Sequence, residues 1–241
     1  MKFEAAACSA KGIRELNEDS FIIASVINEM AQPFSSESVS GDDTSLSFFA
    51  VADGMGGQGS GEKASNLVVT ELKKLSEEKK ILSEEELKAA IKTIHQLVLQ
   101  TNAKMGATLT GIIFQKGECG IVNLGDSRTY RLRNGMFMKM TNDDSLSNLV
   151  AGAPSNIITN GIGGGLSNIS VNSRFSEMLV MPGDIFLMCS DGVHGYVTDE
   201  ELEKLMSAEI SPKGKAATIV QKAIANHTDD NCTAVILQIS E

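Results

Sequence analysis

Ten short β-rich runs, interrupted by only two helical blocks, constrain this chain's fold more than any other feature of its sequence. The runs lie near residues 2–8, 19–27, 46–52, 107–114, 118–124, 127–132, 135–140, 174–180, 184–190 and 232–239. Alternation and β-branched or aromatic residues mark them as strands. Asn134-Gly135 between two of them supplies the positive-φ pair of a tight hairpin. Residues 61–104 read as a helix pair, the second helix opening at Ser83 with Glu86 three residues on. Residues 198–208 and 213–226 read as another pair, opening at Thr198 with Glu201. Strands in clusters and helices in pairs do not make a βαβ rhythm. The expectation is an α+β fold of antiparallel sheets covered by helices, in one domain over residues 1–241.

A net charge of −10 disfavours nucleic acid as a partner. The absence of an apolar run near 18 residues argues against a membrane span. The N-terminus has no signal-peptide pattern, so a cytoplasmic location is expected. Cys8, Cys119, Cys189 and Cys232 each sit in an apolar run and form no C-x-x-C pair, which predicts reduced, buried thiols.

Gly54, Gly56 and Gly59 have the G-x-G-x-x-G spacing of a dinucleotide-binding loop. The second strand that such a loop requires is missing, because the following residues look helical. Asp53 would also repel a pyrophosphate at that position. The alternative is that Asp53 is itself the working group, and comparable acids stand at other strand ends. Glu18 and Asp19 precede one strand, Asp126 follows another, Asp191 ends "FLMCSDG", and Asp229 and Asp230 precede the last strand. Each alone is an ordinary turn residue. Together they would repel one another unless cations neutralised them, which points to a shared Mg2+ or Mn2+ centre.

In this order the segments resemble the metal-dependent Ser/Thr protein phosphatases of the 2C (PPM) family. The match is Arg14-x-x-Asn17-x-Asp19, Val51-Ala-Asp53-Gly54-Met-Gly56-Gly57, and Gly106-Ala-Thr108. It continues with Asn123-Leu-Gly125-Asp126-Ser127-Arg128, Ser190-Asp191-Gly192-Val193 and Asp230-Asn231-x-Thr233. Met55, where eukaryotic members carry His, resembles the bacterial branch. The resemblance implies a four-layer α-β-β-α sandwich. It implies one metal held by Asp53, Asp191 and Asp230, and a second by Asp19, Asp53 and the Gly54 carbonyl. Asp126 with Asp191 matches a weaker third position, Glu18 acts through water or lies just outside the ligand set, and Arg14 matches the phosphate-binding arginine. The implied reaction is hydrolysis of phosphoserine or phosphothreonine in proteins by a hydroxide bridging two Mn2+ or Mg2+ ions. Implied too are a monomer and phosphoprotein substrates made by a Ser/Thr kinase. The alternative is a catalytically weak regulatory or sensor module of the same fold. Such a module would have lost metal acids, and Asp19, Asp53, Asp191 and Asp230 are all present.

Three features depart from or compete with that reading. Cys8 to Arg14 has the C-x5-R spacing of cysteine-dependent phosphatases, but acids follow where an anion cradle and helix are needed. The flap at about 141–165 is short, has Asp144 in place of the family's His, and ends in Gly161, Gly163, Gly164 and Gly165, a composition that suggests mobility. Among the histidines, His95 is expected to pack in its helix and His227 to end one. His194, close behind Asp191, is a candidate proton carrier.

Overall fold

Period-2 side-chain alternation in strands buried on both faces produces three separate cores, which fix the order of the layers. In the computed structural model, which describes residues 1–56, 60–150, 152–154, 157–176 and 180–241, the strands and helices run as follows. The strands are β1 (Lys2–Ala10), β2 (Ser20–Ala24), β3 (Val26–Ile27), β4 (Phe34–Asp42), β5 (Ser47–Ala52), β6 (Gly54–Met55), β7 (Gly106–Ala107), β8 (Leu109–Gln115), β9 (Glu118–Leu124), β10 (Arg128–Arg133), β11 (Met136–Lys139), β12 (Ile162–Gly163), β13 (Asn172–Ser176), β14 (Ile185–Cys189) and β15 (Cys232–Ser240). The helices are α1 (Gly61–Glu78), α2 (Glu84–Thr101), α3 (Leu146–Leu149), α4 (Asp191–His194), α5 (Asp199–Ser207) and α6 (Pro212–Ala225).

One sheet has the order β11-β10-β14-β15-β1-β4 and the other β13-β9-β8-β5-β2-β3, while β12-β7-β6 form a small third sheet. Every residue of β5 is buried. Its Phe49 and Val51 join Phe3, Phe21, Phe114, Phe186 and Val235 in the core between the two large sheets. Its Phe48, Ala50 and Ala52 pack instead with Val68, Leu72, Leu87 and Ile91 of α1 and α2. On the opposite side Leu187 and Cys189 of β14 and Ala234 and Ile236 of β15 pack with Leu202, Met206, Ile219 and Val220 of α5 and α6. The layers are therefore helix, sheet, sheet, helix, as expected. Burying one Phe or Leu side chain in such cores contributes about 1.5–3 kcal/mol.

Local chemistry sets the element ends. Ser83 accepts from the Glu86 amide (3.2 Å) while Glu86 accepts from the Ser83 amide (2.9 Å), so the predicted capping box starts α2. Thr198 and Glu201 do the same for α5. Asn134 and Gly135 have φ of 51° and 75°, giving the tight turn between β10 and β11. The strand expected over 174–180 is found at Asn172–Ser176, and residues 177–179 lie outside the described residues. β4 has no counterpart among the sequence-predicted strands. Its sequence, FSSESVSGD, is almost wholly polar because it is an edge strand paired only with β1 and largely open to water.

The flap's glycine-rich end, expected to be loose, is tied into the small sheet. Ile162 and Gly163 pair with Ala107 and Gly106. The Gly163 amide donates to Nδ1 of the buried His95 (2.9 Å), and that of Gly164 donates to the Met105 carbonyl (2.8 Å). Gly163, Gly164 and Gly165 all have positive φ, so this path is open to glycine where a Cβ would be strained.

Candidate metal centre

Strand register brings the sequence-predicted acids to one rim of the sandwich. Ser20 of β2 lies opposite Ala52 of β5, so Asp19 and Asp53, one residue beyond each, leave that sheet side by side. In the facing sheet Cys189 of β14 lies opposite Ala234 of β15, which brings Asp191 and Asp230 together. Asp126 sits on the crossing between them. Leu124 of β9 pairs with Leu109 in one sheet, and Arg128 of β10 pairs with Cys189 in the other.

Polar neighbours hold these acids in place. Ser190 donates to Asp19 Oδ2 (2.8 Å) and accepts from the Thr233 amide (3.0 Å), linking the two sheets through the acid. Thr108 accepts from the Asp53 amide (3.0 Å), its own amide donates to the Asp53 carbonyl (2.9 Å), and its hydroxyl meets that of Ser127 (2.8 Å). Asn231 accepts from the Glu18 amide (2.7 Å) and donates to the Lys11 and Leu16 carbonyls, pinning the 11–18 segment against the Asp230 loop. His194 meets the Asp126 carbonyl through Nε2 (3.0 Å). Burial holds its pKa down, to about 4, so this imidazole is neutral and positions the Asp126 loop.

Two close approaches explain the glycines. A Cβ on Gly54 would stand 2.3 Å from the Gly61 carbonyl oxygen and 2.5 Å from that of Glu18. A Cβ on Gly192 would stand 1.9 Å from the Asn231 carbonyl oxygen. The glycine loop therefore lets the backbone pass close to the acids. Gly57 of the matched family motif and Gly59 of the G-x-G-x-x-G spacing lie outside the described residues.

The electrostatics are those of crowded anions. Burial, then Asp19 and Asp191, pushes the Asp53 carboxyl far above its ordinary range. Burial and Asp230 raise Asp191, whose carboxyl shares a hydrogen bond with Asp53. Burial raises Asp19 to about 7 against the lowering pull of Thr233 and Ser190. Burial and Asp191 raise Asp126 to about 6. Glu18 is raised by burial and by Glu62. Asp230 has a partner: Arg14 donates to its Oδ2 (2.7 Å) and to the Asp229 carbonyl (2.7 Å). Sequence reading did not foresee this ion pair, because its two residues are 216 positions apart.

The donor set fits a hard divalent cation. Asp19 Oδ1, Asp126 Oδ1 and Asp191 Oδ1 are buried without a hydrogen-bond partner among the described residues, a state that costs free energy unless a bound group satisfies them. Among the described residues no three His, Cys, Asp or Glu side chains form a ready-made cage. The orphaned groups are all carboxylate oxygens, the donor type of hard cations such as Mg2+ and Mn2+ and not the Cys and His set of a structural zinc site. The four cysteines are free and buried. Burial pushes the Cys8 thiol up to about 11, so it cannot serve as a nucleophile near neutral pH. No helix among the described residues is long and apolar enough to cross a membrane.

A four-layer sandwich with clustered acids at one rim is the arrangement of the protein phosphatase 2C family. The family model matches residues 35–227, and the chain belongs to that family. It is 31% identical over 208 residues to the serine/threonine protein phosphatase PstP of Mycobacterium tuberculosis, covering 79% of this chain and 40% of PstP. The chain thus spans less than half the length of that relative. It is 30% identical over 208 residues to the serine/threonine phosphatase Stp of Listeria welshimeri, covering 78% of this chain and 82% of Stp. The crystal structure of the PstP catalytic domain in complex with two manganese ions aligns with a TM-score of 0.78, 26% identity, and 100% of both chains covered.

Proposed function

We propose that this chain is a metal-dependent protein phosphatase that hydrolyses phosphoserine and phosphothreonine in proteins, working as one domain over residues 1–241. The observation that carries this reading is the set of three orphaned, buried carboxylate oxygens on Asp19, Asp126 and Asp191, beside an Asp53 surrounded by other acids. Two divalent ions, Mn2+ or Mg2+, would neutralise phosphoryl charge when bound and bring the pKa of water to about 7. Asp53, Asp191 and Asp230 would hold one ion. Asp19, Asp53 and the Gly54 carbonyl would hold the other, and Asp126 with Asp191 offers a weaker third position.

The chain's own groups then have defined tasks. Asp53 lies common to both positions, and Thr108 clamps its backbone from both sides. Ser190 and Thr233 fix Asp19. Arg14 binds the substrate phosphate. Its Nε and one terminal nitrogen are anchored at Asp229 and Asp230, and the other terminal nitrogen has no partner among the described residues. A guanidinium held in this way presents a planar donor edge to an anion with little loss of side-chain freedom. No side chain need act as nucleophile, in keeping with the high pKa of Cys8. The substrates are phosphoproteins, with a Ser/Thr kinase as the opposing enzyme, and the flap at about 141–165 borders their approach. A monomer in the cytoplasm completes the reading.

The test is turnover of a phosphothreonine peptide after EDTA stripping and after return of Mn2+ or Mg2+. Activity that follows the metal is expected. Activity that survives stripping would refute the reading and return attention to Cys8.

A further inference from the structure

Between the first residues of the flap and the sheet edge formed by β9 and β13 lies an open cleft of about 480 Å3, lined by Ile121, Asn123, Met140, Thr141, Asp144 and Arg174 among others. Strand periodicity explains why charge is found here. The Thr129 hydroxyl of β10 meets that of Thr110 in β8 (2.8 Å), across the sandwich, so this face of β10 looks inward. Arg131, two residues on, looks the same way. On β13, Phe175 packs against the core beneath α1 and α2, so Arg174, one residue before it, faces the other sheet. Its strand partner Ile121 belongs to the core between the sheets. β11 and β13 are the outermost strands of their sheets at this side of the sandwich. Both arginines therefore stand at the open edge of the gap between the sheets.

These two guanidiniums lack what the chain's other arginines have. Arg14, Arg128 and Arg133 are ion-paired with Asp230, Asp143 and Asp184. The side chains of Arg131 and Arg174 form no ion pair or hydrogen bond among the described residues. Nε of Arg131 is buried without a partner. Burial, then Arg133 and Arg174, holds the Arg131 pKa below its ordinary value, so positive charge is crowded here in a chain whose net charge is −10. The carboxylate that lines the cleft is already engaged. Asp144 accepts from the Gly125 amide (3.2 Å), Asn160 (2.7 Å) and Asn172 (3.3 Å). The partner that this pair of arginines lacks is an anion from outside the chain.

The cleft leads to the acid rim. Asn172 lies opposite Asn123, and Asn123 donates to the carbonyl of Gly125, next to Asp126 (3.2 Å). From Ile121, beside Arg174, the chain reaches Asp126 in at most about 17 Å of extended backbone. An extended peptide with its phosphate at the rim covers that span with about five residues.

We propose that Arg174, with Arg131 behind it, binds an aspartate or glutamate of the phosphoprotein substrate, about five residues along the peptide from the phosphorylated one. This rests on the phosphatase reading above and adds a substrate class to it. Arg174 determines specificity and touches no reacting atom. It holds the substrate equally before and during the chemical step, so its loss raises KM and leaves kcat alone.

The experiment is steady-state turnover by the full chain with Mn2+, comparing wild type with Arg174→Gln and Lys204→Gln. Lys204 is an exposed cation on α5, in the outer helix layer, and serves as the control. The substrates are phosphothreonine peptides with a single Glu, or Gln in its place, about three to seven residues from the phosphothreonine on either side, a range that brackets the predicted spacing. The small substrate p-nitrophenyl phosphate reports the chemistry alone. At one position, about five residues away, Glu should lower the wild-type KM about 5-fold relative to Gln, the upper end for a solvent-exposed ion pair. Arg174→Gln should abolish that preference with kcat unchanged, and Lys204→Gln should keep it. All three proteins should turn over p-nitrophenyl phosphate alike. A wild type indifferent to Glu at every position would overturn the inference, as would a preference that survives in Arg174→Gln. Slower p-nitrophenyl phosphate turnover by Arg174→Gln would show a structural role and overturn it too. If wild type turned over neither the peptides nor p-nitrophenyl phosphate, the phosphatase reading itself would fall.

Discussion

Replacing Asp126 with Asn should stabilise the metal-free protein at neutral pH, although it removes a predicted metal ligand. In the folded protein Asp126 is 8% exposed, and burial and Asp191 raise its pKa from 3.8 to about 6. The unfolded chain releases the same proton near the ordinary value. Below about pH 4 both states hold the proton, and the stability linked to Asp126 is fully present. As pH rises through about 6, the folded state must ionise a buried group beside another acid, and that stability is lost. The gap from 3.8 to about 6, at about 1.4 kcal/mol for each step of one on the pH scale, amounts to about 3 kcal/mol. For a chain of this size that corresponds to about 6–12 °C in melting temperature. The Asn variant has no such titration. Denaturant unfolding in EDTA at pH 4, 5, 6 and 7.5 should therefore show Asp126→Asn gaining on wild type by about 2.4 kcal/mol across the series, the rest of the gap lying below pH 4. A constant offset between the two proteins at every pH would refute the claim that Asp126 is held in a repelling, desolvated setting.

Three other substitutions probe separate parts of the account. Asp184 is fully buried and accepts from Arg133 through two bonds (2.6 and 2.5 Å) and from the Met181 amide (2.8 Å), so Asp184→Ala should cost about 3–5 kcal/mol in chemical denaturation. Gly54→Ala should weaken Mn2+ binding severely in calorimetry, because its Cβ would collide with the Gly61 and Glu18 carbonyls. Cys8→Ser should leave phosphopeptide turnover within about twofold of wild type, since the thiol is buried and stays protonated near neutral pH. A large loss of kcat in a properly folded Cys8→Ser protein would contradict the metal-based reading.

The layers and the acid rim were legible in the sequence for different reasons. Runs such as SFFAVA carry two interleaved apolar sets, one for each face, and both sets are found buried in separate cores. Acids at strand ends are conspicuous, Asp53 and Asp191 followed by Gly after a strand and Asp19 and Asp230 just ahead of one, and the register brings Asp19 beside Asp53 and Asp191 beside Asp230. β4 was not legible, because an edge strand facing water needs no apolar alternation. The Arg14–Asp230 ion pair and the bond from His194 to the Asp126 carbonyl join residues 216 and 68 positions apart, and no local pattern encodes either.

The most direct test of the central claim is a count of the ions that the acid rim binds, with and without Asp53. Calorimetric titration of stripped wild-type protein with Mn2+ should give at least two binding steps. Asp53→Asn should lose both, because its carboxylate lies between the Asp19 and Asp191 sides of the site, and phosphothreonine turnover should vanish with them. Full Mn2+ binding and turnover by Asp53→Asn would contradict the account.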